Sequence, residues 1–527
     1  MSKFNNISVA LCASVLSFVC ALSLSESQIM GDGKEYLLYA RAFAAHLSPE
    51  IKQEDILHVA SMLDKSAPRF REEMEKFGKE YAINGLQYGK GFVTSPGGEL
   101  FSWHFWLYPL FVAPFFEVTD RLGLPPAYAF TLCNWAFALG ALTYLLFLWN
   151  ASPTQKILLA ALFLLTGTTY YIWWSHPEVF TASLILLALM MTSDKRYGLA
   201  MMFGAIAATQ NPPLVLLICL IAAIAAFDIS QENKNFILGI KLSLIGSKIF
   251  PYLLASLVIA FLPVFYFQYM LGVANPIAAG GSADSALISL GRLGSLFFDI
   301  NMGMIVAAPG IFAGILIVLL ASAVDLNGNG WRRVVGRNWF LFACVALSLA
   351  MALPALATTN WNHGHSVFSR YAYWLAVPLI YGLVVSLNNI TSRMRVFTVI
   401  AIICIQLGVV TYYGLFGKNG RSDYLSFKPI SDYVLLNFPG LYNPIPEIFI
   451  ERLNRQEGVP NASDANQHIF AYPSANQPTK LLLTKFVADS VEKECSPASV
   501  VSSEGEWTYM NLQPNSKCSL AIAHQPF

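Results

Sequence analysis

The sequence has few charged residues and no strongly basic segment. Charged residues make up 12% of the 527, and the formal net charge is +1, whereas a soluble globular chain carries roughly 25% charged residues. Because no basic face is concentrated enough to hold phosphate backbones, we expect no nucleic-acid partner. The phosphate-binding pattern G-x-x-x-x-G-K-[ST] is also absent. Hydrophobic residues instead reach 55% and the mean hydropathy is +0.52, which predicts a polytopic membrane protein.

Cysteine is scarce outside the apolar segments. Six of the eight cysteines lie in apolar runs, and only Cys495 and Cys518 lie in the polar C-terminal tail. An isolated pair of this kind fits a disulfide formed in an oxidising compartment. The alternative is chance placement. A Cys495–Cys518 bridge would put the tail outside the cytoplasm.

Long apolar runs predict the membrane-spanning helices. The first run, Ile7–Leu24, is interpreted as a retained anchor, with a cleavable signal peptide as the alternative. A spanning helix needs about 20 mainly apolar residues, so we expect an all-α polytopic fold of about 11 transmembrane helices within residues 1–416. The ten later segments are residues 127–149, 156–171, 178–193, 197–209, 212–227, 250–271, 304–323, 338–357, 371–387 and 396–415.

The first outer loop, residues 25–126, is predicted to contain amphipathic helices at the interface. The stretch HVASMLDKSAPRFREEMEKFGKEY mixes charged and apolar residues in the way that interfacial helices do. Phe101–Phe116 is apolar but contains Pro109 and Pro114, so it either spans the membrane or lies at the outer interface. We favour the interface because a full span there would invert every later loop.

Charge bias orients these predicted helices. Short cytoplasmic loops collect Lys and Arg, and placing Lys3 inside puts most of the loop Lys and Arg inside with it, leaving only Arg292 and Arg370 in the short outer loops. This orientation predicts a cytoplasmic N-terminus and places Asp32 on the extracytoplasmic side of the membrane. Residues 417–527 are predicted to form a small extracytoplasmic C-terminal domain, whose strand-like pieces KLLLTKFVA and CSLAIAH leave an α+β class open.

Four short patterns follow one another on the predicted outer face. GDGKEYLLYA begins at Gly31, and SHPEVFTASLILLAL opens the predicted span at residue 178. LGSLFFDINMGMIVAAPGIF contains Asp299, and HSVFSRYAYWLAVPLI contains Arg370. Together they resemble segments of the bacterial membrane-embedded C-type glycosyltransferases. That superfamily holds the protein O-mannosyltransferases and the lipid A aminoarabinose transferases.

The resemblance implies a glycosyltransferase that uses a sugar on a polyprenyl phosphate. The donor lipid stays in the membrane while its phosphosugar reaches the outer face. We expect inversion at the sugar carbon, no metal and no further cofactor, and an acceptor that is a glycolipid, lipopolysaccharide, a wall polymer or a protein. The resemblance covers residues from about 26 to 380 and leaves the tail uncovered.

The resemblance also assigns candidate roles. Asp32 is the expected base, and Glu35 and Glu178 are the further catalytic carboxylates. Glu178 is otherwise a charge favoured by a helix N-terminus. The expected substrate-binding residues are Arg370, Tyr371, Lys34, Arg292, Asp299 and His104.

Several of these residues have equally plain structural alternatives. Arg370 either binds the phosphate, since a guanidinium can hold two oxygens, or anchors the helix at the interface. Asp299 either positions a substrate or caps a turn. The outer-loop histidines His104, His176, His363 and His365 do not resemble a metal-ligand set and are more typical of interfacial hydrogen bonding.

The chain departs from the family pattern in two places. Gly33 follows Asp32 where many members have a second acidic residue, so Glu35 or Glu178 would have to supply the second carboxylate. The stretch WHFWLYP, from Trp103, stands where relatives have a basic residue or His followed by Pro. This difference bears on acceptor or lipid entry more than on the chemistry.

Two other function classes remain as alternatives. A transporter or flippase would place ionisable residues inside its spans, and the spans here are nearly free of charge. A polymerase or ligase of lipid-linked glycans would use the same class of donor but is expected to carry arginine-rich outer loops.

Overall fold

The computed structural model describes most of the chain after residue 26. The described residues are 27, 29–63, 71–76, 91–232, 248–325, 331–365, 367, 369–413, 423–459, 469–473, 478–504 and 506–518. The predicted first span, Ile7–Leu24, lies outside them. The chain divides into two compact units. The first contains residues 1–287, 308–358 and 373–418, and the second contains residues 288–307, 359–372 and 419–527.

The structure is mostly helical, and several helices have the length and composition of membrane spans. Lipid offers no hydrogen-bond partners, so a chain that crosses it must satisfy its backbone groups internally, as a helix does. Within the described residues, five helices are long and apolar enough to cross a membrane: Ala127–Leu148, Pro212–Ser230, Phe250–Leu271, Arg370–Asn389 and Ser392–Tyr413.

The remaining predicted spans are shorter or interrupted. Helices overlap all ten predicted segments after residue 126, but the total of eleven spans stays a prediction. The shorter apolar helices are Glu178–Ser193, Tyr197–Ala208, Pro309–Val324 and Trp339–Ala355.

The helices are numbered here in chain order. The first outer loop and the helix after it give α1 Gly33–His46, α2 Gln53–Met62, α3 Leu107–Arg121 and α4 Ala127–Thr143. Next come α5 Pro153–Phe163, α6 Glu178–Ser193, α7 Tyr197–Ala208, α8 Val215–Glu232 and α9 Phe250–Leu271. The series continues with α10 Leu290–Phe298, α11 Pro309–Asp325, α12 Trp331–Arg337, α13 Trp339–Ala355, α14 Arg370–Ser386 and α15 Ser392–Tyr413. The last three are α16 Pro429–Asn437, α17 Pro446–Asn454 and α18 Lys485–Glu494.

The described part of residues 25–126, the predicted first outer loop, combines helices with a small β-hairpin. Strands β1 (Phe92–Thr94) and β2 (Leu100–Ser102) pair antiparallel between α2 and α3. The apolar stretch Phe101–Phe116 therefore begins in a strand and continues into α3, which has 15 residues. Its interfacial placement stays a prediction. The predicted amphipathic stretch is helical in α2 and over residues 71–76, and its other parts lie outside the described residues.

A buried asparagine fixes the loop that leads into α6. Asn134, on α4, donates from Nδ2 to the backbone oxygens of Ile172 (3.3 Å) and Trp174 (3.0 Å). Its Oδ1 accepts a hydrogen bond of 3.0 Å from the Tyr108 hydroxyl on α3. A buried amide is expensive unless its groups are paired. This pairing holds the loop just before Ser175 against α3 and α4.

The second unit contains a four-stranded antiparallel sheet of order β3-β4-β6-β5. Both faces of the sheet are buried by apolar side chains. Because successive residues of a strand point to opposite faces, β4 is apolar at three consecutive positions, Leu481–Leu483. Leu482 packs with α16 and α17, whereas Leu481 and Leu483 pack with α18. The strands are β3 Ile469–Tyr472, β4 Lys480–Thr484, β5 Cys495–Glu504 and β6 Trp507–Cys518.

The structure refines the predicted C-terminal domain in three respects. The unit recruits residues 288–307 and 359–372 in addition to the tail, where the sequence suggested a single boundary at 416/417. KLLLTKFVA is strand only to Thr484 and then turns into α18. CSLAIAH contributes only Cys518 to β6, and its remaining residues lie outside the described part of the chain.

The predicted cysteine pair lies in this sheet. Cys495 opens β5 and is disulfide-bonded. Cys518, the last residue of β6, is its register partner across the antiparallel ladder. Antiparallel neighbours of this kind are close enough for a disulfide, so the arrangement fits the expected Cys495–Cys518 bridge.

A buried lysine makes the stability of the second unit depend on pH. The Lys480 ammonium donates to the side-chain oxygens of Asn443 (2.6 Å) and Asn511 (2.7 Å). Burial lowers its pKa to about 7, against about 10.4 in an unfolded chain. Between these values the unfolded state binds a proton that the folded state lacks. The free energy of unfolding therefore rises with pH by up to about 1.4 kcal/mol per pH unit.

We expect Lys480→Met to remove this slope between pH 7 and 9. The measurement is hydrogen exchange of peptides from β4 and β6 in the intact protein, corrected for the intrinsic exchange rate at each pH. The control is Lys485→Met at an exposed position of the same unit, which should keep the slope. Equal slopes in the wild type and in Lys480→Met would contradict the prediction.

Candidate functional site

Two carboxylates and one imidazole meet at the start of α1. The Nε2 atom of His104 lies 3.2 Å from Oε2 of Glu35 and 3.5 Å from Oδ2 of Asp32. The Glu35 side chain is 3% exposed and that of Asp32 is 22% exposed. One carboxylate is therefore buried behind the imidazole, while the other reaches the surface of the unit. We call these three residues the Asp–His–Glu cluster.

The first turn of α1 presents both carboxylates. Asp32 is the N-cap residue, and its side chain makes no capping bond to the helix. Glu35 lies three residues later, and residues spaced by three share a helix face. Negative charge is also favoured at a helix N-terminus. The spacing D-x-x-E therefore directs both acidic groups toward one point.

The β-hairpin supplies His104 and holds Glu35. The Ser102 hydroxyl accepts a 3.0 Å bond from the backbone N–H of His104 and donates to Oε2 of Glu35 at 3.4 Å. The Tyr39 hydroxyl, on α1, donates to the Ser102 carbonyl at 3.1 Å and accepts from the Ser102 N–H at 2.9 Å. These bonds fix the end of β2 against α1 and so set the position of the imidazole.

Burial favours the protonated form of the Glu35 carboxyl. Burial raises the pKa of the Glu35 carboxyl well above its usual range, and the negative charge of Asp32 raises it further. Gly91 lies directly against this carboxylate, because a Cβ built there would overlap the Glu35 oxygens. The hairpin therefore approaches Glu35 as closely as glycine allows.

The second outer pattern packs against the first. Ser175 and His176 precede α6 and contact the turn before α1. His176 Nε2 lies 2.8 Å from the Met30 carbonyl, and the Met30 N–H donates to Ser175 Oγ at 3.3 Å. A Cβ on Gly33 would overlap the Ser175 hydroxyl, so a larger residue at this position would displace Ser175. The motifs GDGKEY and SHPE are thus in direct contact.

An aromatic ring connects the two histidines of this region. The Tyr36 ring stacks on His104 with centroids 4.9 Å apart, and it meets His176 edge-on at 5.8 Å. Glu178 is buried as the first residue of α6, and Lys34 is half-buried in the first turn of α1. The first unit thus holds Asp32, Lys34, Glu35, His104 and Glu178, of which three form the cluster.

The remaining predicted site residues belong to the second unit and are engaged there. Arg292 forms an ion pair with Glu447, and its guanidinium lies 5.6 Å from the centre of the Trp361 ring. Trp361 Nε1 donates to the other Glu447 oxygen at 2.7 Å. The Arg292 charge is therefore balanced within the unit.

Asp299 caps a turn, which was one of its two expected roles. Its Oδ1 accepts from the backbone N–H groups of Asn301 (2.8 Å) and Met302 (3.0 Å). Its Oδ2 accepts from the Tyr442 hydroxyl at 2.9 Å. Burial raises the pKa of this carboxyl, although the hydrogen bonds oppose that effect.

The late-loop pattern supplies local contacts around Arg370. The Arg370 guanidinium lies 5.2 Å from the centre of the Tyr371 ring, and its backbone N–H donates to the His363 carbonyl at 3.0 Å. His363 Nε2 lies 3.5 Å from Oε1 of Glu451. His365 Nδ1 accepts from the Val367 N–H at 3.2 Å. Both histidines therefore contact protein groups, while their expected placement at the membrane interface stays a prediction.

The Asp–His–Glu cluster could also hold a divalent cation. One ligand atom from each of the three residues lies within 4.8 Å of the others. Carboxylate oxygens and an imidazole nitrogen suit zinc or manganese. The expected absence of a metal rested on the sequence context of the histidines, which gave no hint that His104 would lie between two acidic residues.

No protein-family model, curated protein or solved structure matches this chain.

Sequence reasoning missed the residues that support the cluster. Tyr39 and Ser175 lie inside the first two patterns, but the patterns gave no reason to assign them a role. Gly91 and Ser102 lie outside all four patterns, and nothing in the sequence connected either residue with Glu35.

We expect Gly91→Ala to displace the Glu35 carboxylate and disrupt the cluster. Gly91 has φ +90°, and its added Cβ would overlap Glu35. Gly98, in the same hairpin, has φ +92° and nothing within 4 Å, so Gly98→Ala carries the same backbone strain, about 1–2 kcal/mol, without the overlap. Thermal unfolding should show both losses of stability.

Only Gly91→Ala should also abolish function, scored by complementation of a strain that lacks the gene. Equal function of the two alanine variants would show that the position of Glu35 is unimportant. Equal loss in both would point to the backbone of the hairpin instead.

Proposed function

We propose that this chain is a membrane glycosyltransferase that moves a sugar from a polyprenyl-phosphate donor to a cell-envelope acceptor at the outer face of the cytoplasmic membrane. The observation that carries the proposal is the Asp–His–Glu cluster. It lies where the first two patterns of the family resemblance come into contact. Transport and glycan polymerisation gain no comparable support from any group of described residues.

The difference in exposure between the two carboxylates supports separate roles. Asp32 is accessible enough to meet an acceptor hydroxyl, whereas Glu35 is buried behind His104. Two carboxylates in unlike environments commonly divide the work of acid–base catalysis. Asp32 is therefore the base, His104 positions it, and Glu35 holds the imidazole in place.

The proposed step is a single displacement. Asp32 takes the proton of the acceptor hydroxyl as that oxygen attacks the anomeric carbon of the donor. The new carbon–oxygen bond forms as the bond from that carbon to the phosphate oxygen breaks, and polyprenyl phosphate leaves with the electron pair. Attack opposite the leaving group inverts the configuration of the sugar carbon.

A cation is needed beside the leaving phosphate. Lys34 follows Asp32 closely in the same unit and supplies an ammonium group. Arg370 stays a sequence-based proposal for this role, since a guanidinium binds two phosphate oxygens at once. Arg292 is less suited, because its charge is already paired with Glu447.

The proposal includes an orientation for the membrane part. The Lys and Arg bias of the loops favours a periplasmic site and a periplasmic C-terminal domain. The disulfide of Cys495 supports the same side, because disulfides persist in oxidising compartments.

The experiment replaces Asp32 with Asn, which keeps the shape and removes the base. A strain deleted for the gene is complemented with the wild type or with the variant, and its envelope glycolipids are compared by mass spectrometry. We expect the deletion strain to lack one sugar, the wild type to restore it, and Asp32→Asn, which loses a rate factor of about 10²–10⁴, to restore little of it. The missing mass identifies the sugar.

The matched control is Glu54→Gln, which removes an exposed carboxylate of the same outer loop. It should restore the sugar fully. Full restoration by Asp32→Asn would exclude Asp32 as the base. If the glycolipids, wall polymers and glycoproteins of the deletion strain all kept their sugars, that result would contradict glycosyl transfer and favour transport.

A further inference from the structure

One side of helix α16 is buried against the second unit, and the opposite side carries exposed apolar side chains. Ser431 and Leu435 are fully buried against the second unit. On the opposite side, Ile430, Tyr433 and Leu436 are 50%, 59% and 40% exposed. Their spacing of three residues places them along one stripe of the helix.

The exposed stripe continues beyond the end of the helix. Phe438 and Leu441 are 50% and 80% exposed, and the rings of Tyr433 and Phe438 meet with centroids 6.1 Å apart. We call Ile430, Tyr433, Leu436, Phe438 and Leu441 the outer apolar face. Single exposed apolar residues are ordinary, but a continuous group marks a contact surface.

Charge is absent from the outer apolar face. The acidic residue of α16, Asp432, accepts a hydrogen bond from the Tyr472 hydroxyl within the unit. The amino group of Lys428, just before the helix, donates to the Val367 carbonyl. Both charges next to the face thus have partners inside the second unit, and the face itself offers only apolar and aromatic groups.

The segments that join the second unit to the first limit how far this face can lie from the membrane helices. The second unit is joined to the first at five places along the chain. The last connection follows α15, a helix long and apolar enough to span a membrane. Residues 414–428, between α15 and α16, can extend at most about 50 Å. The connecting sequence also contains Lys418 and Arg421, and aromatic and basic residues together are typical of the membrane interface.

A second helix of the unit, α10, also exposes apolar side chains. α10 exposes Leu290 (84%) and Phe298 (58%). The Asn301 side-chain oxygen, just after α10, accepts hydrogen bonds from the Lys428 N–H (2.8 Å) and the Ser431 hydroxyl (2.7 Å). The end of α10 is therefore fixed to the start of α16, and both helices carry exposed apolar side chains.

We infer that the outer apolar face inserts into the boundary between the headgroups and acyl chains of the adjacent phospholipid bilayer. A helix with one apolar face lies in this region by burying that face. Because α15 is long and apolar enough to span the membrane, the short connection after it keeps α16 within about 50 Å of the bilayer. The inference depends on the membrane helices and is independent of glycosyl transfer.

The test replaces Tyr433 and Phe438, one at a time, by the photoreactive p-benzoylphenylalanine in the full chain. The protein is reconstituted into liposomes of phosphatidylethanolamine and phosphatidylglycerol, irradiated and digested. Peptide–lipid adducts are then quantified by mass spectrometry. The matched control carries the same residue at Gln456, an exposed polar position of the same unit. We expect lipid adducts at both test positions to exceed those at the control by about tenfold or more.

Three results would overturn the inference. Lipid adducts no more frequent than at Gln456 would leave the face in water. Crosslinks to a second copy of the chain, seen as a doubled mass on a denaturing gel, would make the face a self-association surface. Crosslinks in native membranes predominantly to another protein would make it a docking site for that protein.

Discussion

The imidazole of His104 lies between two carboxylates, and the structure around it is arranged to keep it there. The negative charge of Asp32 disfavours ionisation of the buried Glu35 carboxyl, and His104 Nε2 lies within 3.5 Å of an oxygen of each of the two residues. The start of α1 supplies the carboxylates, the hairpin supplies the imidazole, and Ser175 and His176 hold the preceding turn. Each of these segments belongs to a different part of the sequence.

The two carboxylates of the cluster differ in burial, so only Asp32 is accessible to a substrate. Glu35 is enclosed by the hairpin, and its pKa is raised by burial and by Asp32. Asp32 lies nearer the surface and can meet a substrate. Removing a proton from a hydroxyl requires an accessible base that is held in position, and the cluster provides both features. That requirement fits glycosyl transfer from a membrane-bound donor, which brings its reacting carbon to the membrane surface.

Local sequence signals predicted the helices better than they predicted which residues would meet in the folded chain. Apolar runs located the helices because a membrane span needs a long apolar segment, and within the described residues five helices are long and apolar enough to cross a membrane. D-x-x-E placed Asp32 and Glu35 together because helical spacing is local. The ion pair of Arg292 with Glu447 joins residues 155 positions apart, and no local pattern reports such a contact. The recruitment of residues 288–307 and 359–372 into the second unit escaped prediction for the same reason.

The most direct test of glycosyl transfer measures the polyprenyl phosphate that the donor releases. Purified protein in liposomes is incubated with polyprenyl-phosphate sugars extracted from its host and with the envelope lipids of the deletion strain, and free polyprenyl phosphate is measured by mass spectrometry with and without EDTA. The account predicts polyprenyl phosphate release by the wild type, little release by Asp32→Asn, and no effect of EDTA. Absence of release from every extracted donor would contradict glycosyl transfer, and loss of release with EDTA would make the cluster a metal site.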